Sequence, residues 1–146
     1  MVHEMRLRPA PFQKIADGSK TVELRLYDRK RQEINVGDVI VFTNLENKTE
    51  RQAVKATALH RYASFADLFR EIPPEECGFQ SGISAEDAAK IMRDYYSDED
   101  VRANGVLGIC IERVKLSEAL QDRKQNMSEL FGELFPDGNE QEKSHE

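Results

Sequence analysis

The chain has 146 residues, 39 % of them hydrophobic and 33 % charged, with a net charge of −6 at pH 7. That length suits one domain with a sizeable core, with or without an appendage. The two cysteines are too few for a disulfide scaffold or a zinc site. No apolar run nears the ~18 residues of a membrane span, and the opening MVHEMRLRPAPF lacks the apolar stretch of a secretory signal. The expectation that remains is a soluble domain in a reducing, cytoplasmic compartment, with no metal or cofactor.

Residues 4–8 alternate as a short first strand, which Pro9 and Pro11 end. Pro11 to Asp17 reads as a short helix burying Phe12, Ile15 and Ala16, with Gly18 as its left-handed exit residue. From Lys20 to Tyr27 the pattern is that of a strand, with Val22, Leu24 and Leu26 on one face and Thr21, Glu23, Arg25 and Tyr27 on the other. Residues 28–33 are a polar loop, Val36-Gly37-Asp38 a turn, and Val39 to Phe42 an apolar strand. Asn44 to Lys48 is a hairpin connection. The alanines of residues 50–62 suit a helix, but the alternation of Val54, Ala56, Ala58 and His60 after a hairpin signal favours a strand.

Ser64 with Asp67 opens a helix through Phe69, which Pro73-Pro74 breaks. Ser84 with Asp87 opens a second helix carrying Ala88, Ile91, Met92 and Tyr95 at helical spacing. Gly105 to Val114 is a buried closing strand. Residues 117–134 form an amphipathic helical appendage with Ala119, Leu120, Leu130, Phe131, Leu134 and Phe135, followed by a polar tail. The order predicts an α+β domain over residues 1–116: a small, partly closed barrel with helices covering its open side. Residues 117–146 would dock on it or form a protein-contact surface.

The charge is unevenly spread. Residues 1–62 carry a net +4, while residues 63–116 and 117–146 each carry −5. A basic face can hold a polyanion on an acidic protein, because surface charges are screened within about 10 Å.

Gly18-Ser19-Lys20-Thr21-Val22-Glu23-Leu24-Arg25 is the densest cluster of chemically special residues. The strand period sets Glu23 and Arg25 on one face about 6–7 Å apart, with Lys20 leaning toward the same rim. An Arg fork, a Lys point charge and a carboxylate acceptor suit a phosphate and a base edge together. A solvent-facing ion pair on an exposed strand is the plainer alternative. With a single glycine and no Gly-Lys-Ser/Thr, this is not a phosphate loop.

The segment resembles the ASCH domain family, whose signature Gly-x-Lys-x-x-Glu-x-Arg is matched by Gly18, Lys20, Glu23 and Arg25. The Val36-Gly37-Asp38 turn, the late helix and the closing strand resemble the family too, over residues 4–116. The resemblance implies a PUA-like β-barrel whose cleft, between barrel and helices, holds the motif residues and binds RNA or a nucleotide-like ligand. It also implies an alternative, since some members are ribonucleases. One bacterial branch hydrolyses N4-acetylcytidine with the motif Lys, a Thr three residues later and a downstream Glu. Lys20 matches that Lys, but position 23 is Glu, which removes the Thr nucleophile and leaves Lys20 and Glu23 as the catalytic candidates.

Other residues add to this expectation. Arg29, in the basic run Arg29-Lys30-Arg31, is expected to hold phosphate, and Tyr96 to stack on a base, while Tyr95 continues the core stripe. The ligand-binding set is thus Lys20, Glu23, Arg25, Arg29 and Tyr96, with Gly18 shaping the motif. His60 and Tyr62 share a strand face that would suit acid–base work, although ordinary edge packing is the commoner explanation of such a pair. Ser84 is a helix cap rather than a nucleophile.

Overall fold

The computed structural model describes residues 1–121. Its strands are β1 (Val2–Leu7), β2 (Val22–Leu26), β3 (Val39–Asn44), β4 (Arg51–Tyr62) and β5 (Val106–Val114). Its helices are α1 (Pro9–Ala16), α2 (Phe65–Glu71), α3 (Ala85–Met92) and α4 (Asp98–Asn104). The strands make one five-stranded sheet in the order β1-β3-β4-β5-β2, curled into a half-barrel. Within this sheet β1–β3 is parallel and the other pairs are antiparallel. The chain is therefore α+β, as expected.

The sheet is covered on both faces. Inside the curl, Met5, Leu7, Ile40, Phe42, Val54, Leu107 and Ile109 pack with Phe12 and Ile15 of α1. On the other face Val22, Leu24 and Val106 pack under Phe65, Leu68, Phe69, Ala88 and Met92 of α2 and α3. The strand reading of residues 50–62 holds, with an irregularity in the pairing between Ala56 and Ala58. Helix α1 begins at Pro9, two residues before the expected Pro11. Prolines are tolerated in a first turn, where backbone N–H groups have no helical partner anyway. The loop after β2 is also more ordered than expected: Asp28 caps a 3-10 turn over Arg31–Glu33 by accepting the Arg31 N–H at 3.0 Å.

Three serines start the three later helices. Ser64, Ser84 and Ser97 accept the N–H groups of Asp67, Asp87 and Asp100 at 3.1, 3.0 and 3.1 Å. The third marks α4, which the sequence reading did not find. This helix buries none of its own residues and so has no apolar stripe, yet its Ser-x-x-Asp cap is the same signal as the other two.

Tyr95 is the clearest correction. It is 55 % exposed rather than in the core, and Ile91 is exposed too. The inward stripe is Ala88, Met92 and the half-buried Tyr96, each four residues from the last; the expected Ile91–Tyr95 pair belongs to the outward phase. At the C-terminal end, residues 116–121 are helical and Ala119 is buried against Val41 and Ala53. The expectations for Leu130, Phe131, Leu134 and Phe135 lie outside the described residues.

Losing a serine cap removes one acceptor from otherwise orphan donors. Ser64→Ala is expected to lower unfolding free energy by ~1 kcal/mol in a urea titration, with an unchanged m-value.

Candidate functional site

The sequence from Ala16 to Lys20 turns the chain out of α1 and into β2. Asp17 accepts the Ser19 N–H at 2.9 Å, and Gly18 takes φ +85°, which a glycine adopts without a Cβ clash. The Lys20 N–H then bonds the Lys14 carbonyl at 3.0 Å, and the Thr21 N–H bonds the Glu76 carbonyl at 2.8 Å. These bonds hold the start of β2 between α1 and the segment after Pro73-Pro74.

In β2 the alternation has an unexpected outcome. Val22 and Leu24 share one face, as read from sequence, and that face packs against α2 and α3. Glu23 and Arg25, however, pair with Ile109 and Leu107 of β5 and share their face, the inside of the curl. Glu23 is only 2 % exposed, so the plain alternative of a solvent-facing ion pair does not describe it.

The carboxylate of Glu23 is gripped from both sides. Lys20 Nζ lies 2.7 Å from its Oε1, and Arg25 Nε donates to its Oε2 at 2.7 Å. Burial alone would raise the Glu23 carboxyl. The charges of Lys20 and Arg25 and the hydrogen bonds they donate outweigh that and hold it below the ordinary glutamate value. Arg25 does more: its Nη2 donates to the Arg6 carbonyl of β1 at 3.0 Å. Strands β1 and β2 are the two edges of the sheet. The guanidinium therefore bridges the seam where the half-barrel stays open.

A cavity of about 490 Å³ opens over this cluster. Lys20, Glu23 and Arg25 form its polar floor, and Phe79, Met92 and Tyr96 form an apolar wall. Arg8 and Lys14 stand at its rim, where the Arg8 guanidinium lies 5.4 Å from the Tyr95 ring centroid. Gly78 completes one side with φ +93°. A Cβ there would meet Lys20 Cδ at 3.2 Å, while the Gly78 carbonyl accepts from Lys14 Nζ at 2.7 Å.

The structure thus gathers Lys20, Glu23, Arg25 and Tyr96 around one hollow. Tyr96 is also a core residue, stacked on Phe65 with ring centroids 5.8 Å apart, and burial pushes its hydroxyl pKa up. Arg29 is exposed and lines neither this cavity nor its neighbour. His60 is likewise exposed and away from both, while Tyr62 packs in the helix-side core. Arg8, Lys14, Phe79 and Tyr95 were missed. Only the proximity of Lys14 to the motif, one helical turn upstream, was visible in the sequence.

Glu75 and Glu76, the acids before α3, do not reach the cavity. Cys77 does, but burial pushes its thiol up to about 12, so it is no thiolate nucleophile at neutral pH. Among the described residues no three His, Cys, Asp or Glu side chains are grouped to hold a metal ion.

Glu23→Gln leaves two inward cations without their counter-charge. It is expected to cost on the order of 3–5 kcal/mol at pH 7. The folded pKa of Glu23 lies below its ordinary 4.5, so its contribution is complete above that pH and is lost as pH falls through the folded value. Denaturation of both proteins across pH 7 to 3 should therefore show the gap narrowing below pH 4.5.

The sequence matches the family described as ASCH domain over residues 5–125. Among solved structures, the hypothetical protein PH0355 is 32 % identical with a TM-score of 0.69, over 78 % of this chain and 100 % of that one. PF0455 from Pyrococcus furiosus is 31 % identical with a TM-score of 0.62, over 78 % of this chain and 98 % of that one. ASCH from Zymomonas mobilis shares the fold at 14 % identity, with a TM-score of 0.54 over 86 % and 80 % of the two chains. No curated protein matches. With the motif, the half-barrel and the family match in agreement, the chain belongs to the ASCH domain family.

Proposed function

We propose that the cavity over Lys20, Glu23 and Arg25 binds RNA or a nucleotide-like ligand. The supporting observation is the pairing of two cations, anchored by one buried carboxylate, with an apolar aromatic wall in the same hollow. Fixed cations suit phosphate, and an apolar wall suits the face of a base. Glu23 serves as the anchor, with one oxygen on Lys20 and the other on Arg25. The rim cations Arg8 and Lys14 add charge without a carboxylate beside them in the cavity other than Glu23. Family membership supports the same ligand class.

The hydrolase alternative draws less from this geometry. A general acid at Glu23 would have to hold a proton near neutral pH, whereas its neighbours hold it ionised. As a base, Glu23 is weakened by the same two cations, each of which already engages one of its oxygens.

Lys20→Ala is expected to weaken binding of a fluorescein-labelled single-stranded RNA at least severalfold in fluorescence anisotropy. The slope of log affinity against log salt should flatten by about 0.7 for each phosphate no longer neutralised. Arg8→Ala, on the exposed rim and outside the buried cluster, should move both quantities in the same direction with no change in thermal stability. Unchanged affinity and slope in both variants would refute the binding site.

A further inference from the structure

A second cavity, of about 510 Å³, adjoins the first, and Arg6, Arg25 and Leu45 line both. The Arg25 bridge to the Arg6 carbonyl is thus the divide between two hollows, one on either side of the seam.

The two hollows differ in chemistry. The first has the aromatic wall. The second is lined by Lys30, Arg31 and Lys48, drawn from two separate loops, together with the polar side chains of Thr43 and Asn44. Lys30 and Lys48 are exposed. Arg31 is held by Asp28 through Nη1 at 3.3 Å, and its buried Nε lacks a hydrogen-bond partner among the described residues. The carboxylate in this lining, Glu4, lies 3.4 Å from Arg51. A groove with several cations and no aromatic wall suits phosphate oxygens more than the face of a base.

We propose that this second cavity is a phosphate subsite continuous with the first. One strand of RNA would lay a base against Phe79 and Tyr96 and cross Arg25, setting a neighbouring backbone phosphate among Lys30, Arg31 and Lys48. The ligand class is then a single-stranded RNA segment rather than an isolated nucleoside. Arg25 contacts the chain where it crosses the seam, and the exposed side chain of Leu45 offers apolar surface beside it. This inference rests on the RNA-binding reading of the first cavity.

The test compares cytidine with a labelled mixed-sequence RNA hexamer, using the full chain and a Lys30→Ala/Lys48→Ala double variant. Both substitutions are on exposed side chains, so folding is not at stake. The wild type is expected to bind the hexamer much more tightly than cytidine. In the double variant that advantage should shrink at least tenfold, and the salt slope for the hexamer should fall by about 0.7, for the one phosphate no longer neutralised. If the hexamer binds the double variant with wild-type affinity and slope while Lys20→Ala still weakens it, the second cavity is no subsite and the first stands. If neither ligand binds the wild type, the RNA-binding reading itself falls and the subsite with it.

Discussion

A carboxylate without access to water is costly unless cations complete it, and Glu23 is completed by Lys20 and Arg25. Much of the local architecture follows from that requirement. Lys20 must stand at the very start of β2, which the Gly18 exit from α1 allows. Arg25 must lie along the inner face, two residues on, where its Nε meets the carboxylate and its Nη2 reaches the opposite sheet edge. The motif is therefore structural and chemical together: the groups that would meet a ligand also close the seam of the half-barrel.

The same cluster fixes side chains that are otherwise long and mobile. A surface lysine or arginine loses conformational freedom when it binds a ligand, and that loss opposes association. Here folding has already ordered Lys20 and Arg25, which are 9 % and 14 % exposed at the side chain. Acidic α3 and α4 and the acidic stretch beyond residue 116 set the net charge of the whole molecule. They say little about the hollow, where Arg8, Lys14, Lys20 and Arg25 surround a single carboxylate.

Much of the fold was legible because its signals are local. The serine caps, the prolines of α1, the positive-φ glycine at Gly37 and the alternation of Val54 and Ala56 each dictate a conformation within a few residues. What escaped depends on neighbours far along the chain. Alternation left a solvent-facing ion pair open as an alternative for Glu23 and Arg25, because half-buried sheets are common, yet this sheet is covered on both faces. Tyr95 lost its expected core position to Tyr96 through a one-residue error in helical phase, while Tyr96 also lines the hollow as expected. The Lys20–Glu23–Arg25 grouping was visible as a spacing. Of the wall opposite it, Tyr96 was expected and Phe79, which follows the turn at Gly78, was not.

An open sheet ends in two strands with unused backbone groups, and such strands invite a second molecule to add its own. In this protein the two terminal strands face each other, and an arginine side chain lies between them, occupying a carbonyl of β1. A strand added at that carbonyl would have to displace the guanidinium Nη2, while Nε stays tied to the buried Glu23. The side chain that lines both hollows thereby also occupies one of the backbone acceptors along that edge.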